Sequence, residues 1–242
     1  MPNIAFFGKS DVGLKRTNNE DTFVVSHELE FCLAADGMGG AAAGELASHI
    51  FAETATKVFS GSGKRSEKES LKLVRESFTS ANKKIMDHTV QNIEHKGMGC
   101  TAELVAFSNG GYVLGHIGDS RTYRLREGQL EQLTRDHSFV QDQINQGLIT
   151  PEEAKKHHLR NVILRAVGVS DNLSLDLLRG KVFPGDLFLL CSDGLTDMVE
   201  DSLIQQVLSS PISLPQKADA LIDAAKSAGG RDNVTVVLSE IE

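Results

Sequence analysis

The sequence predicts an α+β fold built in layers, and three observations carry that reading. Short apolar or β-branched runs follow one another as hairpins before residue 36 and again between 101 and 133. Two long helical stripes lie between those groups, and two more helical patterns precede a last strand near the C-terminus. Hairpins gathered together, with helices gathered apart, make antiparallel sheets under helical layers and not a regular βαβ array. No repeat, low-complexity tract or Pro/Ser-rich linker divides the 242 residues, so one domain over 1–242 is expected.

Ile4–Phe7, Thr22–Ser26 and Phe31–Ala35 are bounded by turn residues and read as strands. Ala43, Ala47, Ile50, Phe51, Thr54 and Val58 recur at helical spacing, which predicts a helix from about 43 to 59. Ser60–Arg65 reads as a loop. A Gly-rich phosphate loop is excluded there, because no Gly stands five positions before Gly63 and Arg, not Ser or Thr, follows Lys64. Ser66 and Glu69 form a capping box, and Leu71, Val74, Phe78, Ala81 and Ile85 line one face of the helix it opens. Thr101–Phe107, Tyr112–Ile117 and Thr122–Leu125 read as strands, with Arg126–Gln129 turning the chain into Leu130–Leu133. A polar, helical insert is expected from about Ser138 to Leu159, with a capped start at Thr150-Pro151-Glu152-Glu153. A buried strand at Asp186–Cys191, helices near 201–208 and 215–227, and a strand at Val234–Leu238 complete the chain.

Lys and Arg number 25 against 33 Asp and Glu, a net charge of −8 that argues against binding to nucleic acid or to an anionic membrane. Cys32 and Cys191 lie inside apolar runs and, with Cys100, are too few and too far apart for a disulfide framework, so small buried hydrophobes are expected. No apolar stretch approaches the roughly 18 residues of a membrane span. The opening MPNIAFFGKSDVG lacks the pattern of a secretory signal, so a cytoplasmic location is expected.

Four carboxylates stand at expected strand ends beside turn-forming residues: Asp36 before Gly37, Asp119 after Gly118, Asp193 before Gly194, and Asp232 after Gly229-Gly230-Arg231. An Asp-Gly alone is a common turn. Four at strand ends are another matter, since an antiparallel sheet can gather such ends at one rim. Two carboxylates about 4 Å apart repel by roughly 4 kcal/mol at an effective dielectric of 20, so such a cluster calls for protons or a cation. Carboxylates with glycine-exposed carbonyls, and no convincing His/Cys set, point to a hard ion such as Mg²⁺ or Mn²⁺. His157-His158 reads as a solvated pair in the insert.

Arg16-x-x-Asn19-Glu20-Asp21, Asp36-Gly37-Met38-Gly39-Gly40, Gly118-Asp119-Ser120-Arg121, Ser192-Asp193-Gly194-Leu195 and Gly230-x-Asp232-Asn233-x-Thr235 occur in that order. Together they resemble the signature set of the metal-dependent Ser/Thr protein phosphatases, the PPM or 2C-type family, in its compact bacterial form. The likeness runs from about Gly8 to the C-terminus. It implies a central antiparallel β-sandwich flanked by helices, in α-β-β-α layers, with the insert at about 138–165 matching a flap subdomain over the site. By that resemblance two Mn²⁺ or Mg²⁺ ions are bound. Asp36 bridges both, Asp193 and Asp232 complete one site, and the Gly37 carbonyl and Glu20 serve the other. Asp119 with Asp193 match a third, looser ion, and Arg16 matches the residue that grips the substrate phosphate. The implied reaction is hydrolysis of phosphoserine and phosphothreonine in proteins by a hydroxide bridging the two ions, with no covalent enzyme intermediate. The implied partners are phosphorylated proteins and a cognate bacterial Ser/Thr kinase, in signalling.

One departure stands out. Bacterial relatives often carry a histidine directly after the Asp-Gly-Met-Gly-Gly motif and animal relatives one inside it, where this chain has Ala41 and Met38. A histidine general acid is therefore not expected from this stretch. Other phosphatase chemistries lack their residues: no Cys-x5-Arg cradle, no Asp-x-Asp and no Asn-His dipeptide exists. Two competing readings keep the fold and change the role, a weakly catalytic phosphoprotein-binding module and a metal phosphatase of small phosphoesters.

Overall fold

Alternation along β-strands places successive side chains on opposite faces, and here both faces of the central strands are covered. In a computed structural model, which describes residues 3–39, 43–61 and 65–242, the chain begins β1 (Ile4–Asp11), β2 (Asp21–Ser26), β3 (Phe31–Met38), α1 (Ala43–Phe59) and α2 (Glu67–Gln91). It continues through β4 (Gly99–Cys100), β5 (Ala102–Ser108), β6 (Gly111–Ile117), β7 (Arg121–Arg126), β8 (Gln129–Gln132), α3 (Phe139–Asn145) and α4 (Pro151–Ala154). It ends β9 (Asp176–Lys181), β10 (Leu187–Cys191), α5 (Asp193–Thr196), α6 (Asp201–Ser209), α7 (Leu214–Ser227) and β11 (Val234–Ile241).

One sheet has the order β1-β11-β10-β7-β8 and the other β2-β3-β5-β6-β9, with β4 paired to β3. Every pairing is antiparallel. Phe31, Leu33 and Ala35 of β3 face α1 and α2, whereas Cys32 and Ala34 face the other sheet. Leu187, Leu189 and Cys191 of β10 face α6 and α7, whereas Phe188 and Leu190 point between the sheets. The expected α-β-β-α layering is thus present. A strand buried on both faces also explains why Leu187–Cys191 reads as an unbroken apolar run. Phe188 centres the inter-sheet core, edge-on to Phe107 at 5.5 Å and Tyr112 at 5.0 Å. The three cysteines are free and buried, as expected.

Local signals hold where they were strongest. Ser66 Oγ accepts from the Glu69 N–H (3.3 Å) while Glu69 accepts from the Ser66 N–H (2.8 Å), closing the capping box that starts α2. The Thr150 box closes in the same way, but α4 stops at Ala154. The expected helical insert is corrected here: only α3 and α4 are helical, because Gly147 has φ +71 between them and Ala154 is the only buried side chain the two short helices contribute. Strand β9, which was not expected, is an edge strand of mixed Asp, Leu, Arg, Gly and Lys that takes its form from pairing with β6. Part of the expected loop at Ser60–Arg65 lies outside the described residues.

Candidate active site

Antiparallel order brings alternate strand ends to one rim. Registers of Asp21 with Asp36, Ala102 with Ile117, Cys191 with both Arg121 and Val236, and Asp11 with Val234 put the starts of β2, β5, β7 and β11 beside the ends of β1, β3, β6 and β10. Asp21, Asp36, Asp119, Asp193 and Asp232 all fall there. Asp36 lies within β3, two residues before its end, rather than beyond it, and Asp193 opens α5.

Asp21 ties the two sheets together at this rim. Its Oδ2 accepts from Ser192 Oγ (2.8 Å) and Thr235 Oγ1 (2.6 Å), both from the opposite sheet. The second site loop is held by Asn233, whose Oδ1 accepts from the Glu20 N–H (2.8 Å) and whose Nδ2 donates to the carbonyls of Val12 (3.0 Å) and Asn18 (2.9 Å). The Gly37 N–H donates to the Glu20 carbonyl (3.1 Å). A Cβ on Gly37 would stand 2.0 Å from the Gly44 carbonyl oxygen and 2.7 Å from that of Glu20, so only glycine lets β3, α1 and the Glu20 loop meet.

The gathered carboxylates perturb one another. Burial, reinforced by Asp21, Asp193, Asp119 and Asp232, pushes the Asp36 carboxyl well above the usual carboxylate range. Asp193 shifts the same way through burial and then Asp119, Asp197 and Asp232. Burial, with Asp136 and Asp197 nearby, lifts Asp119 to about 7, and burial lifts Asp21 to about 6 against the pull of its two hydroxyl partners. Glu20 is raised by burial against the nearby Arg16. Asp119 Oδ1 and Asp21 Oδ1 are buried with no hydrogen-bond partner. Buried acceptor oxygens that repel one another and lack donors suit a hard divalent cation, so the donor set fits Mn²⁺ or Mg²⁺.

Asp232 is already engaged. Its Oδ2 accepts from Arg16 Nη2 (2.7 Å) and its Oδ1 from the Asn233 N–H (2.8 Å). Among the described residues no group of three or more His, Cys, Asp or Glu side chains is closed enough to hold an ion as it stands. Of the expected third-ion pair, Asp119 is the first charge after burial to raise the Asp193 carboxyl. From the insert, Arg160 reaches Asp197 (3.5 Å) beside these carboxylates. Ala41 and Gly40 lie outside the described residues.

Two residues of the rim escaped the sequence reading as site groups. Asp21 was visible as the residue after Glu20, and drawing the β2–β3 hairpin from its four-residue turn sets it opposite Asp36. Asp197, at the end of α5, has no sequence signal beyond lying four residues after Asp193.

A two-sheet sandwich with carboxylates at one rim and a phosphate-compatible arginine beside them defines a metal-dependent phosphohydrolase class of site. The model of the Protein phosphatase 2C family matches residues 14–224. The serine/threonine protein phosphatase PstP of Mycobacterium tuberculosis is 37% identical over 238 residues, covering 98% of this chain and 45% of that protein. This chain therefore spans about half the length of that relative. The serine/threonine phosphatase stp of Listeria welshimeri is 36% identical over 240 residues, covering 96% of this chain and 94% of that protein. A crystal structure of the catalytic domain of PstP in complex with two manganese ions superposes with a TM-score of 0.90 at 36% identity, covering 98% of each chain. The chain belongs to the protein phosphatase 2C family of metal-dependent Ser/Thr phosphatases, in its compact bacterial form.

Proposed function

We propose that this chain hydrolyses phosphoserine and phosphothreonine esters in proteins, as one 2C-type domain over 1–242 with the segment at about 138–165 as its flap. The observation that carries the reading is the gathering of Asp21, Asp36, Asp119, Asp193 and Asp232 at a single rim, with buried acceptor oxygens left without donors. Asp36, Asp193, Asp232, Glu20 and the Gly37 carbonyl are the groups that would hold a pair of Mn²⁺ or Mg²⁺ ions, and Asp119 with Asp193 would hold a third. When bound, the pair supplies a nucleophile from water near neutral pH and neutralises charge on the phosphoryl oxygens.

The chain's own residues do the rest. Arg16 presents a planar fork of donors at the open edge of the site and binds the phosphate, exchanging its bond to Asp232 for one to the substrate. Asp21 keeps the two sheet ends at fixed separation through Ser192 and Thr235, which holds Asp36 in place. With Arg16 half exposed, the site is open enough for a phosphorylated side chain carried on a protein surface. The kinase that installs such phosphates is the implied counterpart. No helix among the described residues is long and apolar enough to cross a membrane.

The test is release of phosphate from a phosphothreonine peptide with and without Mn²⁺, set beside p-nitrophenyl phosphate and a phosphosugar. Metal-dependent turnover favouring the peptide supports the proposal. Preference for the sugar supports small phosphoesters instead, and binding of the phosphopeptide without turnover supports a binding module.

A further inference from the structure

Where the chain leaves β8 for the flap, His137 takes hold of both polar groups of one peptide turn. Its N–H donates to the Gly118 carbonyl (2.7 Å), and the Gly118 N–H donates back to its ring Nδ1 (3.2 Å). Gly118 has φ +114 and stands directly before Asp119, and a Cβ there would lie 2.5 Å from Thr101 Cβ, so only glycine fits this turn. The His137 carbonyl accepts from the Leu164 N–H (2.7 Å), and Ser138 bridges to Ile163. The outgoing and returning feet of the flap are thus joined at the residue that grips Gly118.

Beneath His137 lies a buried pair. Glu103 and His116 face each other in register on β5 and β6, and both are fully buried. One Glu103 oxygen meets His116 Nδ1, and the other accepts from Thr122 Oγ1 (2.6 Å). His116 Nε2 donates to the Arg135 carbonyl (2.9 Å). Both carboxylate oxygens and both ring nitrogens are engaged, which is the condition for keeping such a pair inside. The His116 and His137 rings lie 4.5 Å apart. On its outer side His137 Nε2 is 3.3 Å from Asp176 Oδ2 and 3.1 Å from Arg165 Nη1. Nδ1 accepts from Gly118 only if the ring is neutral with its proton on Nε2, facing Asp176. Burial, with the charges of His116 and Arg165, holds the His137 pKa down at about 4 and so keeps the ring neutral.

We propose that His137 is a positioning residue that locks both feet of the flap onto the Gly118–Asp119 turn, so that the Asp119 carboxylate and the flap are placed together. Glu103 and His116 form the rigid footing of this clamp. Its consequence for catalysis rests on the reading of Asp119 as a metal ligand, whereas the clamp itself is independent of that role.

Three substitutions separate the acceptor from the bulk of the ring. His137→Asn keeps an acceptor where Nδ1 sits, His137→Gln moves it towards Nε2, and His137→Ala removes it. Hydrogen exchange on the metal-free protein, Mn²⁺ titration calorimetry, and kcat and KM on a phosphothreonine peptide are the readouts. Ala and Gln are expected to speed exchange at 118–120 and at the flap feet by about tenfold with β10 and β11 unchanged. They should also weaken the looser class of Mn²⁺ binding by about tenfold and lower kcat more than they change KM. Asn should restore all of these. Exchange at 118–120 equal to the parent in the Ala variant, or Asn no better than Gln, overturns the clamp. If Asp119→Asn leaves Mn²⁺ binding intact while His137→Ala still frees the turn, the clamp stands and the ligand role of Asp119 falls.

Discussion

Arg16 Nη2 donates to Asp232 Oδ2 at 2.7 Å, joining the loop after β1 to the loop before β11 across 216 residues of sequence. Both side chains are partly exposed, at 51% and 37%, and exposed ion pairs add only about 0–1 kcal/mol to stability. The pair therefore stores an arginine at the site rather than holding the fold. Arg16→Ala should leave the melting temperature within a degree or two and raise KM for a phosphopeptide by about tenfold or more, with a smaller fall in kcat. Steady-state kinetics beside thermal denaturation check this. A lower melting temperature with unchanged KM would make Arg16 structural.

Asp36 is a crowded carboxylate, repelled by Asp21, Asp193, Asp119 and Asp232. Asp36→Asn keeps its shape and removes the charge. The metal-free variant should be more stable than the parent by about 1–2 kcal/mol in urea titration at pH 8, since one term of the repulsion is gone. It should also lose Mn²⁺ binding and activity together. Unchanged Mn²⁺ affinity by calorimetry would remove Asp36 from the metal centre.

The raised carboxyls set a pH dependence whose sign is fixed. Asp119 at about 7 and Asp21 at about 6 bind protons more tightly in the folded chain than the usual 3.8 allows. Stability from such groups is fully present below the unfolded value and is lost as pH rises through the folded one. His137, held at about 4, acts in the opposite sense, but only below its unfolded value near 6.5. Between about pH 6.5 and 8 the metal-free protein should therefore lose stability. Mn²⁺ competes with those protons, so its stabilising effect should grow over the same range. Differential scanning calorimetry at both pH values, with and without Mn²⁺, reads both trends; a metal-free melting temperature flat or rising with pH contradicts them.

Gly37→Ala tests the backbone approach under the Glu20 loop. The added Cβ has backbone on both sides, which cannot rotate away as a side chain would. We expect a loss of about 2–3 kcal/mol in urea titration and a weaker metal centre, because Glu20 is displaced. A variant with parental stability and Mn²⁺ affinity would show that the loop yields freely.

The fold class, the long helices and the strands of both hairpin groups were legible because burial on one or two faces writes periodicity into the chain, as in Phe31–Ala35 and Leu187–Cys191. The carboxylates were legible from their motifs, and their convergence follows from antiparallel order. What the sequence hid was non-local. Strand β9 is a strand only because β6 is beside it. The insert lacks a long helix because Gly147 breaks it and few of its side chains find a core. Asp21 needed the hairpin register, and His137 needed the return of the flap onto Gly118, a contact that no spacing in the chain announces.

The central claim is that buried carboxylates at one rim hold the metal on which phosphate release depends. Its most direct test is Mn²⁺-dependent release of phosphate from a phosphothreonine protein by the parent and by Asp193→Asn, with Mn²⁺ stoichiometry measured on the same samples. Asp193 is partly buried and crowded by Asp119, Asp197 and Asp232, and Asn keeps its shape while removing its charge. The expected result is turnover in the parent only with Mn²⁺, and a folded Asp193→Asn variant with fewer bound ions and activity lower by about a hundredfold or more. Turnover in the parent that ignores Mn²⁺, or an Asp193→Asn variant with full activity and full stoichiometry, would contradict it.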